Sequence, residues 1–420
     1  MLDSAATKSE SSSTGRGSIH QYAMSASLAS SIFPGPSPSE PQVAPLLDPL
    51  GAGAILGGPA ASLTEPSAPT PSSLFGPRGG VLCGPDGPLV VADTGHHRLL
   101  VWKFRPRYDR EPADFAIGQP DLLSGGRNGG GSAVTGATLN VPSGVAAGAG
   151  ALAVADAWNH RVLIWHSPPT HANQPADVVL GQADHRGHLA NRGRDLPGPD
   201  TLHWCYGVAI CNGRLFVADT GNRRVLMWDG IPERDGAPAD LVLGQPSFDA
   251  RDTPDHHGDT PGASRMLWPH AIASWLGDLL ISDAGHHRVM GWRSFPREHG
   301  QPCDYVFGQV TTSEIDPTRG AFHPTAATLN MPYGLSVIGD RLAVADTGCS
   351  RLVGYARHAR TTNALARWLS GQRRFSDKGD NRWGAPTRDS VCWPYAITSC
   401  GNTAVVSDSG NNRVLLWDAL

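Results

Sequence analysis

Short apolar runs joined by compact polar turns dominate the chain, and they predict β-strands rather than helices. The segment VADTGHHRLLVW, from Val91 to Trp102, places an apolar run, an aspartate, a polar turn, an arginine and a second apolar run in succession. Apolar runs of this length bounded by turn residues are typical of buried strands. The pattern returns as VADAWNHRVLIW, VADTGNRRVLMW, ISDAGHHRVMGW, VADTGCSRLVGY and VSDSGNNRVLLW. Its six aspartates lie 62 to 64 residues apart, so the chain is built from a repeat.

Two further motifs flank each copy. Downstream of each of the first five aspartates an apolar run ends in Gly-Gln. These runs are FAIGQ, VVLGQ, LVLGQ, YVFGQ and RWLSGQ. Upstream lies a short strand that proline opens in most copies: GPRGGV, VPSGVA, WCYGVA, WPHAIA, MPYGLS and WPYAIT. The unit therefore predicts four antiparallel strands, termed a, b, c and d in chain order, with a long insertion between strand d and the next strand a. The small residue two positions after the proline predicts that strand a is innermost, where six strands crowd around one axis.

Six such units predict an all-β fold, a six-bladed β-propeller of four-stranded antiparallel blades. The sixth copy ends at Leu420 without a strand d, while GAILGGP at 53–59 resembles the other d motifs. We therefore predict that a strand at about residues 54–57 closes the ring. The predicted domains are a disordered, Ser/Pro-rich tail over 1–41 and a propeller over 42–420, with the blades at about 74–420.

Composition narrows the classes of function. The formal net charge of −4 does not favour a nucleic-acid or membrane-surface binder, and no apolar run is long enough to span a bilayer. Seven cysteines contain no CxxC pair, so we expect a reducing, cytoplasmic location. Arginine supplies almost all of the positive charge, which is typical of a bacterial, GC-rich composition. We expect a monomer.

The repeat resembles the NHL repeat family, whose hallmark is an aspartate, a turn with Gly-Asn, an arginine and then aliphatic residues. The resemblance covers about residues 53–420 and all six copies. It implies a propeller, but members of this family serve as protein-binding platforms, RNA binders and enzymes, so it does not select one function.

The Asp–Arg pair of each copy, such as Asp93 and Arg98, is predicted to be structural because it recurs in every blade. The carboxylate should accept turn N–H groups and the guanidinium, and so join strand b to strand c. Histidine pairs such as His96–His97 occupy turn positions where the family favours Asn, which tolerates positive φ. We therefore do not expect metal binding at these pairs.

The residue that follows the strand-a proline is the better candidate for a site. Propeller geometry places these six positions around the mouth of the central channel, and they are Arg78, Ser143, Tyr206, His270, Tyr333 and Tyr395. Hydroxyls and rings beside one guanidinium suit a small polar or anionic ligand, with Arg78 as its charge partner. The alternative is that the aromatic side chains fill the channel and hydrogen bond to water.

Two enzyme classes resemble this chain in their expected fold. Peptidyl-hydroxyglycine amidating lyases hold zinc with histidines, some of which follow a strand-a proline, but only His270 matches here. Paraoxonase-like lactonases use carboxylates and amides around calcium, and the six positions contain none. We therefore expect no cofactor, with zinc at His270 or calcium as the alternative, and we assign no catalytic residue. Under an enzyme alternative, a lyase or hydrolase, Tyr206, His270, Tyr333 and Tyr395 are the acid–base candidates.

The long insertions before each strand a are expected on the same face as the turns and the channel mouth. They hold His185, His188, Asp255, His256, His257 and Asp259, which are more simply solvated loop residues than metal ligands. The loops carry almost no net charge, which disfavours nucleic acid. The favoured function is a scaffold that binds a protein or peptide partner through this face, with a small polar ligand in the funnel as an addition.

Overall fold

The repeated apolar runs form the strands of six antiparallel sheets arranged as a propeller, which confirms the predicted fold. The computed structural model describes residues 43–58, 68–250 and 261–420. The predicted tail over 1–41 lies outside the described residues. Within the described ranges the strands and short 3-10 turns account for all regular structure.

Each sheet has the order a-b-c-d from the channel outward. The innermost strands a are Gly79–Leu82, Pro142–Gly148, Cys205–Cys211, Pro269–Trp275, Pro332–Ile338 and Pro394–Cys400. The strands b are Leu89–Asp93, Ala151–Asp156, Arg214–Asp219, Asp278–Asp283, Arg341–Asp346 and Thr403–Asp408. The strands c are Arg98–Trp102, Arg161–Trp165, Arg224–Trp228, Arg288–Trp292, Arg351–Tyr355 and Arg413–Asp418. The strands d are Phe115–Ile117, Val178–Leu180, Leu241–Leu243, Tyr305–Phe307, Trp368–Ser370 and, for the sixth blade, Ala54–Gly57.

Strand a is innermost because small residues let neighbouring blades approach closely. A Cβ added to Gly207 would lie 1.6 Å from the carbonyl oxygen of His270 in the next blade. Strands b and c are buried at almost every position, since each sheet is covered by its neighbours on both faces. The core therefore lies between successive blades rather than in one central cluster.

The N-terminal strand closes the ring, as predicted. Ala54–Gly57 pairs antiparallel with the last strand c, with Leu56 opposite Val414. A second contact was not predicted: Ala44–Pro45 pairs parallel with the outer strand of the fifth blade at Trp368–Leu369. Leu46 and Leu47 follow it and are fully buried. The start of the described chain thus contributes to both the fifth and the sixth blades.

The Asp–Arg pair of each blade is a buried ion pair that also fixes the long loops. The Arg Nε to Asp Oδ2 distance is 2.7 Å at Arg351–Asp346, and both side chains are fully buried. The Nη groups of Arg351 donate to the carbonyls of Phe375, Thr325 and Thr328, which lie in the loops after and before its blade. A buried guanidinium requires acceptors for its donors, so each pair anchors loop backbone on either side.

The aspartate accepts the guanidinium, as predicted, but from the described turns it accepts side-chain N–H groups rather than backbone N–H groups. The other carboxylate oxygen, Oδ1, accepts a backbone N–H from the segment that leads into strand a. In the second blade this donor is Asn140, two residues before strand a begins, and it lies 2.6 Å from Asp156 Oδ1. The turn N–H is satisfied within the 3-10 turn itself, as from His160 to the carbonyl of Ala157. The turn residue two positions before the repeated arginine also binds the carboxylate. In the second blade Asn159 Nδ2 donates to Asp156 Oδ2 at 2.8 Å. The aspartate therefore joins strand b to strand a as well as to strand c.

The turn residue directly before the repeated arginine, such as His97 before Arg98, links neighbouring blades. It has left-handed backbone geometry in all six turns, with φ near 50°. In five turns its side chain accepts a backbone N–H from the segment that leads into strand a of the next blade. The pairs are His97 with Val141, His160 with Trp204, His287 with Met331, Ser350 with Trp393, and Asn412 with Gly76. The sixth, Arg223, has no acceptor to offer. At this interface the N–H of Trp268 donates instead to Asp283 of its own blade. Trp268 also lacks the positive φ that the five other donor residues have.

The interface between the second and third blades includes a hydrogen bond to a histidine and lacks one that the first interface has. At the first interface Thr94 donates a second hydrogen bond, to the carbonyl of Pro142 at 2.7 Å, but Ala157 replaces this hydroxyl in the second blade. Burial lowers the pKa of His160 to about 4, with further lowering by His203 and His188. Its Nδ1 must be unprotonated to accept the N–H of Trp204, 3.0 Å away.

Acidification should weaken this interface. The folded pKa of His160, about 4, lies below the unfolded value of 6.5, so the unfolded chain takes up the proton first. The stabilisation is complete above pH 6.5 and is lost as the pH falls towards 4. We expect His160→Asn, which keeps an acceptor that does not titrate, to show a smaller loss of unfolding free energy between pH 7 and pH 4.5 than the wild type.

Urea unfolding at the two pH values measures the difference, with the exposed His171→Asn as control. A His160→Asn variant with the wild-type pH dependence would contradict the role of this histidine.

Candidate functional site

The innermost strands line a channel with a cavity of about 290 Å³. Its mouth lies where the strands a begin, on the face that also carries the b–c turns and the long loops. Arg78, Tyr206, His270, Tyr333 and Tyr395 line the cavity at this end. The structure therefore brings five of the six predicted funnel residues together.

Ser143 is not part of the lining. Its side chain is fully buried, and its hydroxyl lies 3.3 Å from the carbonyl of Val141, to which it donates. The second blade contributes to the cavity through Gly144 and the residues that follow it. A serine is too short to reach past this backbone, whereas the longer side chains of the other blades extend into the mouth.

The aromatic side chains at the mouth pack on one another. The ring of His270 lies 5.5 Å from Tyr206, 4.3 Å from Tyr333 and 5.7 Å from Tyr395. Tyr333 and Tyr395 are stacked at 4.6 Å. These rings cover part of the channel entrance, so the predicted alternative of an aromatic filling describes their packing. The three tyrosines are only partly buried, whereas His270 is buried beneath them.

His270 is held as a neutral imidazole with one defined tautomer. Its Nδ1 lies 3.0 Å from the carbonyl oxygen of Trp268, and because a carbonyl only accepts, Nδ1 carries the proton. Burial lowers the pKa of His270 to about 4, and the charge of Arg78 lowers it further. Nε2 is therefore an acceptor at neutral pH.

The tyrosines are also kept neutral. Burial raises the pKa of Tyr333 and Tyr395 above the ordinary value of 10, although Arg78 acts in the opposite direction. General acid–base catalysis is most effective when the pKa lies near the working pH. The pKa shifts of His270, Tyr333 and Tyr395 all move away from neutrality, which weighs against proton transfer by these groups.

Arg78 is the one charged residue among those that line the cavity. Its guanidinium carbon lies 5.0 Å from the centre of the Tyr395 ring, a cation–π contact. Within the described ranges no carboxylate or carbonyl accepts from its side chain. By contrast, the arginines of the Asp–Arg pairs, such as Arg98, donate to an aspartate and to loop carbonyls. Arg78 thus offers a cation and five N–H donors to the channel mouth.

Four exposed tryptophans lie on the face of the mouth, each close in sequence to a lining residue or in contact with one, and none of them was predicted as a site residue. The exposed fractions are 52% for Trp158, 46% for Trp204, 46% for Trp268 and 58% for Trp393. We call these four residues the aromatic rim. Three of them directly precede strand a, two positions before Tyr206, His270 and Tyr395, and Met331 has the equivalent position in the fifth blade. The signal was the Trp at this position in three of six copies.

Trp158 reaches the mouth from the b–c turn of the second blade. Its Nε1 donates to the hydroxyl of Tyr206 at 3.4 Å. The equivalent position is glycine in the other five turns, where an added Cβ would collide, as with Phe75 at Gly95. The second blade therefore departs from the repeat where a side chain overhangs the funnel.

The remaining candidates do not join this site. His96 and His286 bind their own blade's aspartate at 2.8 and 2.7 Å and are buried. His185 pairs with Asp235 at 3.3 Å, and His188 lies exposed beside the carbonyl of Arg186. Asp255, His256, His257 and Asp259 lie outside the described residues.

The ranges 43–58, 68–250 and 261–420 contain no group of three His, Cys, Asp or Glu arranged to hold a metal ion. The absence of a cofactor stays a prediction. In the same part of the chain, no helix is long and apolar enough to cross a membrane.

Comparisons with known proteins give structural similarities only. No family model matches the chain, and no curated protein matches it. A protein of unknown function from Bacteroides thetaiotaomicron is 11% identical, covers 91% of this chain and 76% of its own, and has a TM-score of 0.47. Hydrazine synthase of Kuenenia stuttgartiensis is 10% identical over 86% of this chain and 98% of its own, with a TM-score of 0.46. Virginiamycin B lyase from Staphylococcus aureus is 10% identical over 84% and 98%, with a TM-score of 0.41.

Replacement of Arg78 should leave the fold intact. Because no described residue accepts from its guanidinium, we expect Arg78→Met to change the unfolding free energy by less than about 1 kcal/mol. Arg351→Met, which leaves Asp346 buried without its partner, should cost about 3–5 kcal/mol. Denaturant unfolding of both variants measures the contrast. A loss at Arg78 as large as that at Arg351 would show that Arg78 is structural and not held for a ligand.

Proposed function

We propose that this propeller is a binding module that recognises a protein or peptide partner through the face that carries the aromatic rim. The observation that supports this most directly is the exposure of four indoles on the face of one channel mouth. Exposed aromatic clusters of this kind mark interaction sites, and Trp is enriched among the residues that dominate binding energy. Isolated exposed apolar residues need no such explanation, but four on the face of one opening do.

The backbone around the rim supports the same proposal. Trp204 and Trp393 have φ of 47° and 49°, a left-handed conformation that is costly for residues other than glycine. Hydrogen bonds to His160 and Ser350 of the preceding blades hold this geometry. The indoles thus stand on a rigid support, which reduces the entropy lost when a partner binds.

The proposal retains a small polar or anionic ligand in the funnel as an addition. Arg78 supplies the charge, and Tyr206, Tyr333 and Tyr395 supply hydroxyls. The NHL resemblance, a cytoplasmic location, a monomeric state and the absence of nucleic acid and membrane partners remain predictions beside it. The lyase or hydrolase alternative gains no support from the site, since the shifted pKa values of His270, Tyr333 and Tyr395 disfavour proton transfer at neutral pH.

Selection of random peptides on the purified protein tests this function. We expect the selected peptides to bind the wild type and to lose about tenfold or more in affinity when Trp204 and Trp268 are replaced by Ala, since central aromatic residues contribute most to such interfaces. The matched control is Trp383→Ala, because Trp383 is 80% exposed on an outer loop of the same face.

Equal losses in the control, or peptides indifferent to the rim, would contradict the proposal. Recovery of no peptide at all would count against it as well.

A further inference from the structure

We propose that the partner segment bound at the aromatic rim is a proline-rich peptide in the polyproline II conformation. This rests on the proposed function and names the chemistry of its ligand. The argument uses the donors, the acceptors and the charge at the channel mouth.

Groups that only donate hydrogen bonds dominate the side chains at this mouth. Trp204, Trp268 and Trp393 are 46%, 46% and 58% exposed, and no described residue accepts from their indole N–H groups. The other exposed indole, Trp158, already donates to Tyr206. Arg78 adds the five N–H groups of its guanidinium, again without a described acceptor. A ligand must therefore bring acceptors to match these donors.

Acceptors are few among the side chains that line the cavity. No carboxylate or side-chain amide is among them. Nε2 of His270 is the one imidazole acceptor in this lining, and its Tyr, Ser and Thr hydroxyls can accept as well as donate. A ligand rich in N–H or O–H donors would leave many of them without partners here, which costs free energy for each buried donor.

Polyproline II has the complementary chemistry. Its backbone carbonyls make no internal hydrogen bonds, and proline has no N–H to satisfy. Its pyrrolidine rings are flat enough to pack between indoles, and aromatic-lined surfaces bind such segments elsewhere in this way. The conformation is also preformed, so less entropy is lost on binding than with a flexible chain.

Other ligand classes fit less well. A saccharide carries a hydroxyl donor at almost every oxygen, and the cavity lining offers few side-chain acceptors. A cationic ligand, which Trp could otherwise bind through cation–π contacts, would face the unpaired charge of Arg78.

The arrangement also leaves a path for an extended chain. The rim and Met331 form an arc over blades two to six, while the equivalent position in the first blade is Gly76. Polyproline II is straight and semi-rigid, so such a segment would cross the mouth between these indoles rather than follow the arc, and it can leave over the first blade, beside Arg78.

Octaproline is the probe, and binding is followed by tryptophan fluorescence and by calorimetry. We expect octaproline to bind, whereas its mirror image built from D-proline, a Gly-Ser octapeptide and a linear oligosaccharide should not. Trp268→Ala and Trp393→Ala should each weaken binding about tenfold or more, as central aromatic contacts do. Trp383→Ala should not change it.

The conservative variant Trp268→Phe separates stacking from hydrogen bonding. Trp268 lacks the positive φ of its counterparts, so this substitution should not disturb the backbone. Phe keeps the ring and removes the N–H, and we expect an intermediate loss of about fivefold, the effect of one ordinary hydrogen bond. An affinity equal to that of wild type would overturn the donor argument.

The outcomes separate this inference from the proposed function. If selected peptides need the rim but octaproline does not bind, the polyproline inference is wrong and the binding function stands. If octaproline and its mirror image bind equally, or binding ignores the rim variants, the inference is also wrong. If the oligosaccharide alone binds and depends on the rim, both are wrong.

Discussion

The buried Asp–Arg pair of each blade is the interaction on which the rest of the structure depends. A guanidinium can be buried only if its charge and its donors are matched, and the aspartate satisfies only part of it. In Arg98 the remaining donors bind the carbonyls of Leu122, Thr70 and Ser73, which belong to the loops on either side of the blade. The aspartate meanwhile holds the segment that leads into strand a, as Asp93 does through the N–H of Phe75. The same pair that joins two strands therefore fixes the face on which a ligand would bind.

Contacts between blades then set the geometry of that face. The left-handed turn residue of one blade draws the N–H of the next blade toward itself, and this bond gives Val141, Trp204, Met331 and Trp393 their positive φ. Two of these four are exposed tryptophans of the aromatic rim, so a structural bond and a candidate binding residue share one peptide unit. The turn that contains Arg223 shows what happens without this bond. The Arg223 side chain offers no acceptor, and the N–H of Trp268 in the next blade donates to Asp283 of its own blade. A change at an interface between blades is therefore expected to reach the rim directly.

The sequence predicted most of the fold because its information is repeated six times. The spacing of Asp93 and its equivalents defined the blades, and the GAILGGP motif located the closing strand at Ala54–Gly57. Ala44–Pro45 was not predictable, since two residues carry no periodicity. At the site, counting from the strand-a proline identified Arg78, Tyr206, His270, Tyr333 and Tyr395, but it also included Ser143, whose short side chain stays inside the blade. The rim tryptophans were visible in the sequence, but their exposure depends on backbone geometry that no local pattern reveals.

The central claim is that ligand recognition takes place at the aromatic rim, and the indole N–H resonances of the protein test it most directly. The chain has twelve tryptophans, and six of them, including Trp165 and Trp292, donate their indole N–H to backbone carbonyls of connecting segments. Titration with a peptide selected on the protein, followed by NMR of assigned indoles, should shift the signals of Trp158, Trp204, Trp268 and Trp393 and leave the buried signals in place. Shifts confined to Trp383 or to the buried tryptophans, or no shift at saturating peptide, would contradict the account.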